Sequence, residues 1–132
     1  MSFSDVVTKQ NCIIYKHNTI SQAKLLANCF KQPRDRVVLI SKKRFPIADA
    51  MFPFLLNLSS NYYAAFVVIS DSDTSFLWIS KELKRQQSIG NFANVYPAFC
   101  PEIVIPDWWS DRDSRFLILD SDFCQNIDVF LN

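Results

Sequence analysis

Aspartates recur two apart at three places in this 132-residue chain: Asp71/Asp73, Asp111/Asp113 and Asp120/Asp122. Two of the pairs follow apolar runs, as FVVIS-DSD and FLIL-DSD. Paired carboxylates at that spacing can hold a divalent cation or share acid–base work. The other reactive side chains are sparse. His17 is the one histidine, and the four cysteines are Cys12, Cys29, Cys100 and Cys124. Gly90 is the one glycine. A further constellation is Pro106-Asp107-Trp108-Trp109-Ser110-Asp111-Arg112-Asp113, where paired tryptophans stand among acids and an arginine.

The strand-then-Asp-x-Asp context resembles the metal-binding pair of sugar-nucleotide glycosyltransferases and, more faintly, the catalytic pair of haloacid-dehalogenase-type phosphatases. The phosphatase pattern needs Thr or Val two residues after the second aspartate, where this chain has Ser75 or Cys124. The Asp120/Asp122 pair stands too near the last residue to be followed by an acceptor site. Turn aspartates at 71/73 and helix-capping aspartates at 120/122 are the better reading, since a carboxylate suits the positive end of a helix.

Other catalytic and cofactor chemistries fall to simple counts. Phosphate-binding loops need glycine so that backbone can approach phosphate, and one glycine supports neither the dinucleotide fingerprint nor the P-loop. Asp71, Asp73, Ser75 and Glu82 fall at positions 1, 3, 5 and 12 of a calcium loop, but position 6, normally glycine, is Phe76. Zinc wants ligands in close pairs, and His17 has none. A nucleophile would be Cys100, the most loop-like cysteine, with His17 as the only histidine base. No metal and no cofactor are therefore expected, and no catalytic residue is assigned.

Two surfaces suggest binding. Lys31 to Arg44 holds six basic residues and one acid. Arg34 and Arg36 precede the run RVVLIS, and Lys42, Lys43 and Arg44 follow it. Opposite ends of a five-residue strand stand ~16 Å apart, which makes a tight nucleic-acid patch hard to build. The segment 107–113 is the stronger candidate. Tryptophan and arginine are common interface anchors, and Asp107, Asp111 and Asp113 suit a basic protein partner. Asp71 and Asp73 join Asp107, Trp108, Trp109, Asp111, Arg112 and Asp113 as the expected partner-binding set.

The elements that position these residues follow from periodicity. Cys12–Tyr15 is a short strand, and Ala23, Leu26, Ala27 and Phe30 mark a helix over 21–32. RVVLIS (36–41) reads as a strand buried on both faces. Pro46 opens a second helix through Leu58, with Pro53 inside it implying a kink or break. YYAAFVVIS (62–70) and SFLWIS (75–80) read as a hairpin around residues 71–74. Ser80 caps a third helix that Gly90 ends in the left-handed conformation. Strands at 103–105 and 115–119 and a last helix carrying Phe123, Ile127, Phe130 and Leu131 complete the order β-α-β-α-β-β-α-β-β-α. That order specifies one α+β or α/β domain over 1–132, a mixed sheet covered by helices.

Composition bounds the rest. Apolar residues make up 49% and charged residues 20%, a globular balance, and the net charge of +1 argues against bulk nucleic-acid binding. Charge is nonetheless lopsided, +6 over residues 1–66 and −5 over 67–132. Residues 50–70 carry no charge, but Asn57-Leu58-Ser59-Ser60-Asn61 breaks them as a turn, against a membrane span. No secretory signal is visible, so the cytoplasm and reduced, mostly buried cysteines are expected.

In size, scarcity of glycine and abundance of aromatics, the whole chain resembles small bacterial immunity proteins of the contact-dependent growth inhibition type. That resemblance implies a non-catalytic cytosolic protein that neutralises a cognate toxin domain, often a nuclease, by tight binding. A basic nuclease would favour the acidic half as contact surface. The alternatives are a divalent-metal enzyme built on the Asp-x-Asp pairs and a nucleic-acid-binding adaptor using residues 31–44.

Overall fold

The computed structural model describes residues 10–30, 36–46, 48–70, 76–105, 107–109, 115–120 and 127. Five strands form one sheet: β1 (Asn11–Lys16), β2 (Val37–Lys42), β3 (Ala65–Ile69), β4 (Val95–Phe99) and β5 (Leu117–Ile118). Three helices separate the first four: α1 (Ile20–Ala27), α2 (Met51–Asn61) and α3 (Phe76–Ser88). The strand order is β2-β1-β3-β4-β5, and every pairing is parallel. The fold is therefore α/β, and the mixed sheet expected from the hairpin is corrected to a parallel one.

Alternation along the strands sends side chains to two cores. Cys12, Ile14, Ala65, Val67, Ile69, Val95 and Phe99 meet Met51, Leu55 and Leu58 of α2 and Ile79 and Leu83 of α3. Ile13, Tyr15, Phe66, Val68, Tyr96 and Ala98 meet Ala23 and Leu26 of α1, and Ile127. A sheet covered on both faces needs strands apolar at every position, which β3 and β4 satisfy with all residues buried.

The parallel arrangement accounts for the largest difference from the sequence reading. Residues 76–80 belong to α3, not to a hairpin strand, because a parallel neighbour can be reached only through a crossover. Ile79, Leu83 and Gln86 are buried at helical spacing, and Arg85 clasps Glu82 one turn away (Nη2–Oε1 2.7 Å). That guanidinium holds the Glu82 carboxyl below the usual range. The fourth strand is VYPAF, not residues 103–105. Cys100 N–H bonds the Ile69 carbonyl of β3, and the Phe99 carbonyl accepts from Leu119 on the β5 side. Pro97 shares the Phe99 side, where β5 pairs only from Ala98 onward, so its missing N–H leaves no ladder bond unmade.

Smaller corrections have equally local causes. β2 is an edge strand with exposed positions rather than a doubly buried one, since β1 takes the interior place. Pro53 is the third residue of α2, inside the first turn where N–H groups have no intrahelical acceptor, so it neither kinks nor breaks the helix. α1 stops at Ala27, short of Gln32. Gly90 takes φ +83°, the left-handed cap expected of it. The helix expected over the last residues lies outside the described ones, apart from Ile127, a buried turn residue.

Candidate functional site at the carboxyl edge of the sheet

The order β2-β1-β3-β4-β5 reverses direction between β1 and β3. In doubly wound sheets the loops leaving the carboxyl ends at such a switch point diverge and leave a crevice. Here the residues leaving those ends include four of the ten described lysines and arginines and the one histidine. Lys16 and Lys42 end β1 and β2 as register partners. His17, Asn18 and Thr19 form a 3-10 turn into α1, tied by the Thr19 hydroxyl, which donates to the Lys16 carbonyl at 2.9 Å. Lys43 and Arg44 continue from β2, both exposed, before Phe45 turns into the core. Lys42 Nζ stands 5.8 Å from the Phe54 ring centroid of α2. Ser70 follows β3 and Cys100 follows β4, both buried.

This placement separates the residues proposed for nucleophilic chemistry. Cys100 is buried, because β4 runs to the residue before it, and His17 is exposed at the end of β1. Two strand spacings, ~10 Å, lie between those strand ends. No Cys100–His17 dyad forms. Cys12 and Cys100 carry free thiols, and burial pushes the Cys12 thiol up to about 12. Cys29 is disulfide-bonded, which corrects the expectation of a wholly reduced chain.

Trp109 departs from the sequence expectation, and the side chain of Trp108 lies outside the described structure. Asp107, Trp108 and Trp109 form a 3-10 turn between β4 and β5. Asp107 is exposed. Trp109 is only 1% exposed, with its ring edge-on to Phe99 (6.0 Å) and Phe116 (5.7 Å). Its indole N–H donates to the Ser80 hydroxyl of α3. Trp109 is therefore a core residue that docks the β4–β5 connection, not a contact residue. Asp71, Asp73, Asp111, Arg112 and Asp113 lie outside the described residues. Among the described residues, no group of three or more histidine, cysteine, aspartate and glutamate side chains is placed to hold a metal ion.

Two surface features escaped the sequence reading. The basic residues after β1 and β2 meet only through parallel register, which no local pattern reveals. In the uncharged stretch 50–70 the turn expected at 57–61 is instead the end of α2, and Phe52 and Leu56 on that helix are 46% and 47% exposed. Trp78, in the first turn of α3, is 59% exposed. At the opposite edge, Gln87, Gly90, Asn91, Ala93 and Arg115 line a shallow cleft of about 200 Å³. There Gln87 bonds the Arg115 backbone in both directions, which occupies its amide. Among the described residues no helix is long and apolar enough to cross a membrane. No protein-family model, curated protein or solved structure matches this chain.

Proposed function

We propose that this chain is a non-catalytic binding protein that captures a protein partner on the outer surface of its α2–α3 layer. One observation carries the reading: α2 and α3 cover the same face of the sheet, and that layer leaves Phe52, Leu56 and Trp78 exposed. The outward positions of α2 include no charged residue at all (Phe52, Pro53, Leu56, Asn57, Ser60 and Asn61). A helix facing only water normally carries charge on that side, and α2 carries none. Exposed large apolar side chains, such as Phe52 and Leu56 one turn apart on α2, mark contact surfaces, and tryptophan is the commonest anchor residue.

The whole-chain resemblance makes the partner a toxin domain and the role its neutralisation. Asp107, exposed in the turn before β5, is the described acid assigned here to steering a basic partner. The compartment follows from the toxin's place of action.

The test is co-expression with the toxin domain encoded beside this gene, directed in turn to the cytoplasm and to the export pathway. The expected result is restored growth in one compartment and a 1:1 complex on purification. Undiminished killing in both, or a gene with no toxin beside it, contradicts the reading.

A further inference from the structure

The carboxyl ends of β1 and β2 assemble a second feature, separate from the α2–α3 surface. Lys16 and Lys42 are direct register partners, on strands ~4.8 Å apart. His17 extends the cluster from β1, and Lys43 and Arg44 extend it from β2. The basic segment is held at both ends, by the β2 ladder on one side and by the buried Phe45 on the other. Lys42 is further held over the Phe54 ring. Among the described residues, none of His17, Lys43 and Arg44 engages a carboxylate. Lys42, Lys43 and Arg44 are consecutive cations that repel one another, and an anionic ligand of matching charge density relieves that repulsion.

Charge density selects the ligand class. Alternate acidic side chains of an extended peptide stand ~7 Å apart and bring one charge each. An oligophosphate concentrates its charges on adjacent phosphorus centres, closer to the spacing of these neighbouring strand ends. We propose that His17, Lys42, Lys43 and Arg44, beside Lys16, form a binding site for an oligophosphate group, free or carried by a nucleotide. With no glycine in these loops the backbone does not wrap the phosphate. Recognition comes from side chains, with the Arg44 guanidinium able to fork onto two oxygens.

The probe is inorganic tripolyphosphate in metal-free buffer, followed by calorimetry and by the imidazole proton signals of His17, which are unambiguous because the chain has one histidine. Saturable binding that shifts those signals is expected. The Lys43→Glu/Arg44→Glu variant changes only exposed side chains and should retain its far-UV spectrum while losing at least about tenfold in affinity. ATP binding more tightly than tripolyphosphate identifies a nucleotide as the source, and equal affinities identify the free oligophosphate; either supports the site. Hexaglutamate or a single-stranded oligonucleotide binding more tightly than both would overturn it. So would an unshifted His17 spectrum, or unchanged affinity in the double variant.

Discussion

Truncating Trp109 to alanine separates a core role from a surface role. The ring is 1% exposed and meets Phe99 and Phe116 edge-on, at 6.0 and 5.7 Å. Removing a buried tryptophan side chain costs about 3–5 kcal/mol, and the two aromatic pairs place this site toward the upper end. Ser80→Ala probes the polar half of the contact. It removes the acceptor of the indole N–H and leaves that donor buried, at a cost of about 1–3 kcal/mol. Because both substitutions strike one contact, the double variant Trp109→Phe/Ser80→Ala should cost less than the sum of its single variants. Urea denaturation followed by far-UV circular dichroism measures all of these without relying on tryptophan emission. A loss under about 1 kcal/mol for Trp109→Ala would refute the packing described and return the residue to the contact surface.

Ile127→Ala should cost about 2–4 kcal/mol by opening a cavity in the core that also holds Ala23 and Leu26, and a loss below about 0.5 kcal/mol would mean that this segment does not dock. Asn94→Ala should cost about 2–3 kcal/mol, since its amide donates to the Ser59 and Tyr62 carbonyls (3.0 and 2.9 Å) and accepts from the Ser59 hydroxyl; an unchanged urea midpoint counts against that clasp. The Cys12 thiol is raised from 9.0 to about 12, so the folded state keeps a proton that the unfolded chain releases. Its contribution is complete below pH 9 and lost between 9 and 12, at about 1.4 kcal/mol per pH unit, and Cys12→Val should flatten that part of the stability profile.

Much of the fold was legible where one residue or one period dominates. β1, β3 and the Gly90 cap follow from apolar runs and from the conformational freedom of glycine. The region 75–105 was misread because FLWI is apolar at consecutive positions, which suits a strand as well as the first turn of a buried helix. Pro97 argued against VYPAF as a strand, and only the shortness of β5 makes it tolerable. β2 looked interior because Val37, Val38, Leu39 and Ile40 are all apolar, whereas edge position is a property of the whole sheet. The site was less legible still. Trp109 was placed at the surface because tryptophan in a loop is ambiguous until its neighbours are known. The Lys16–Lys42 juxtaposition depends on parallel pairing between segments separated by a helix.

The central proposal, that the exposed apolar side chains of α2 and α3 hold a protein partner, is tested most directly by the dissociation rate of the complex with the proposed toxin-domain partner. Trp78→Ala and Phe52→Ser/Leu56→Ser change exposed positions and should leave the unfolding midpoint nearly in place. At an anchor value of about 2 kcal/mol, each should speed dissociation roughly 30-fold. Dissociation at the parental rate in both variants, with the fold intact, would contradict the account.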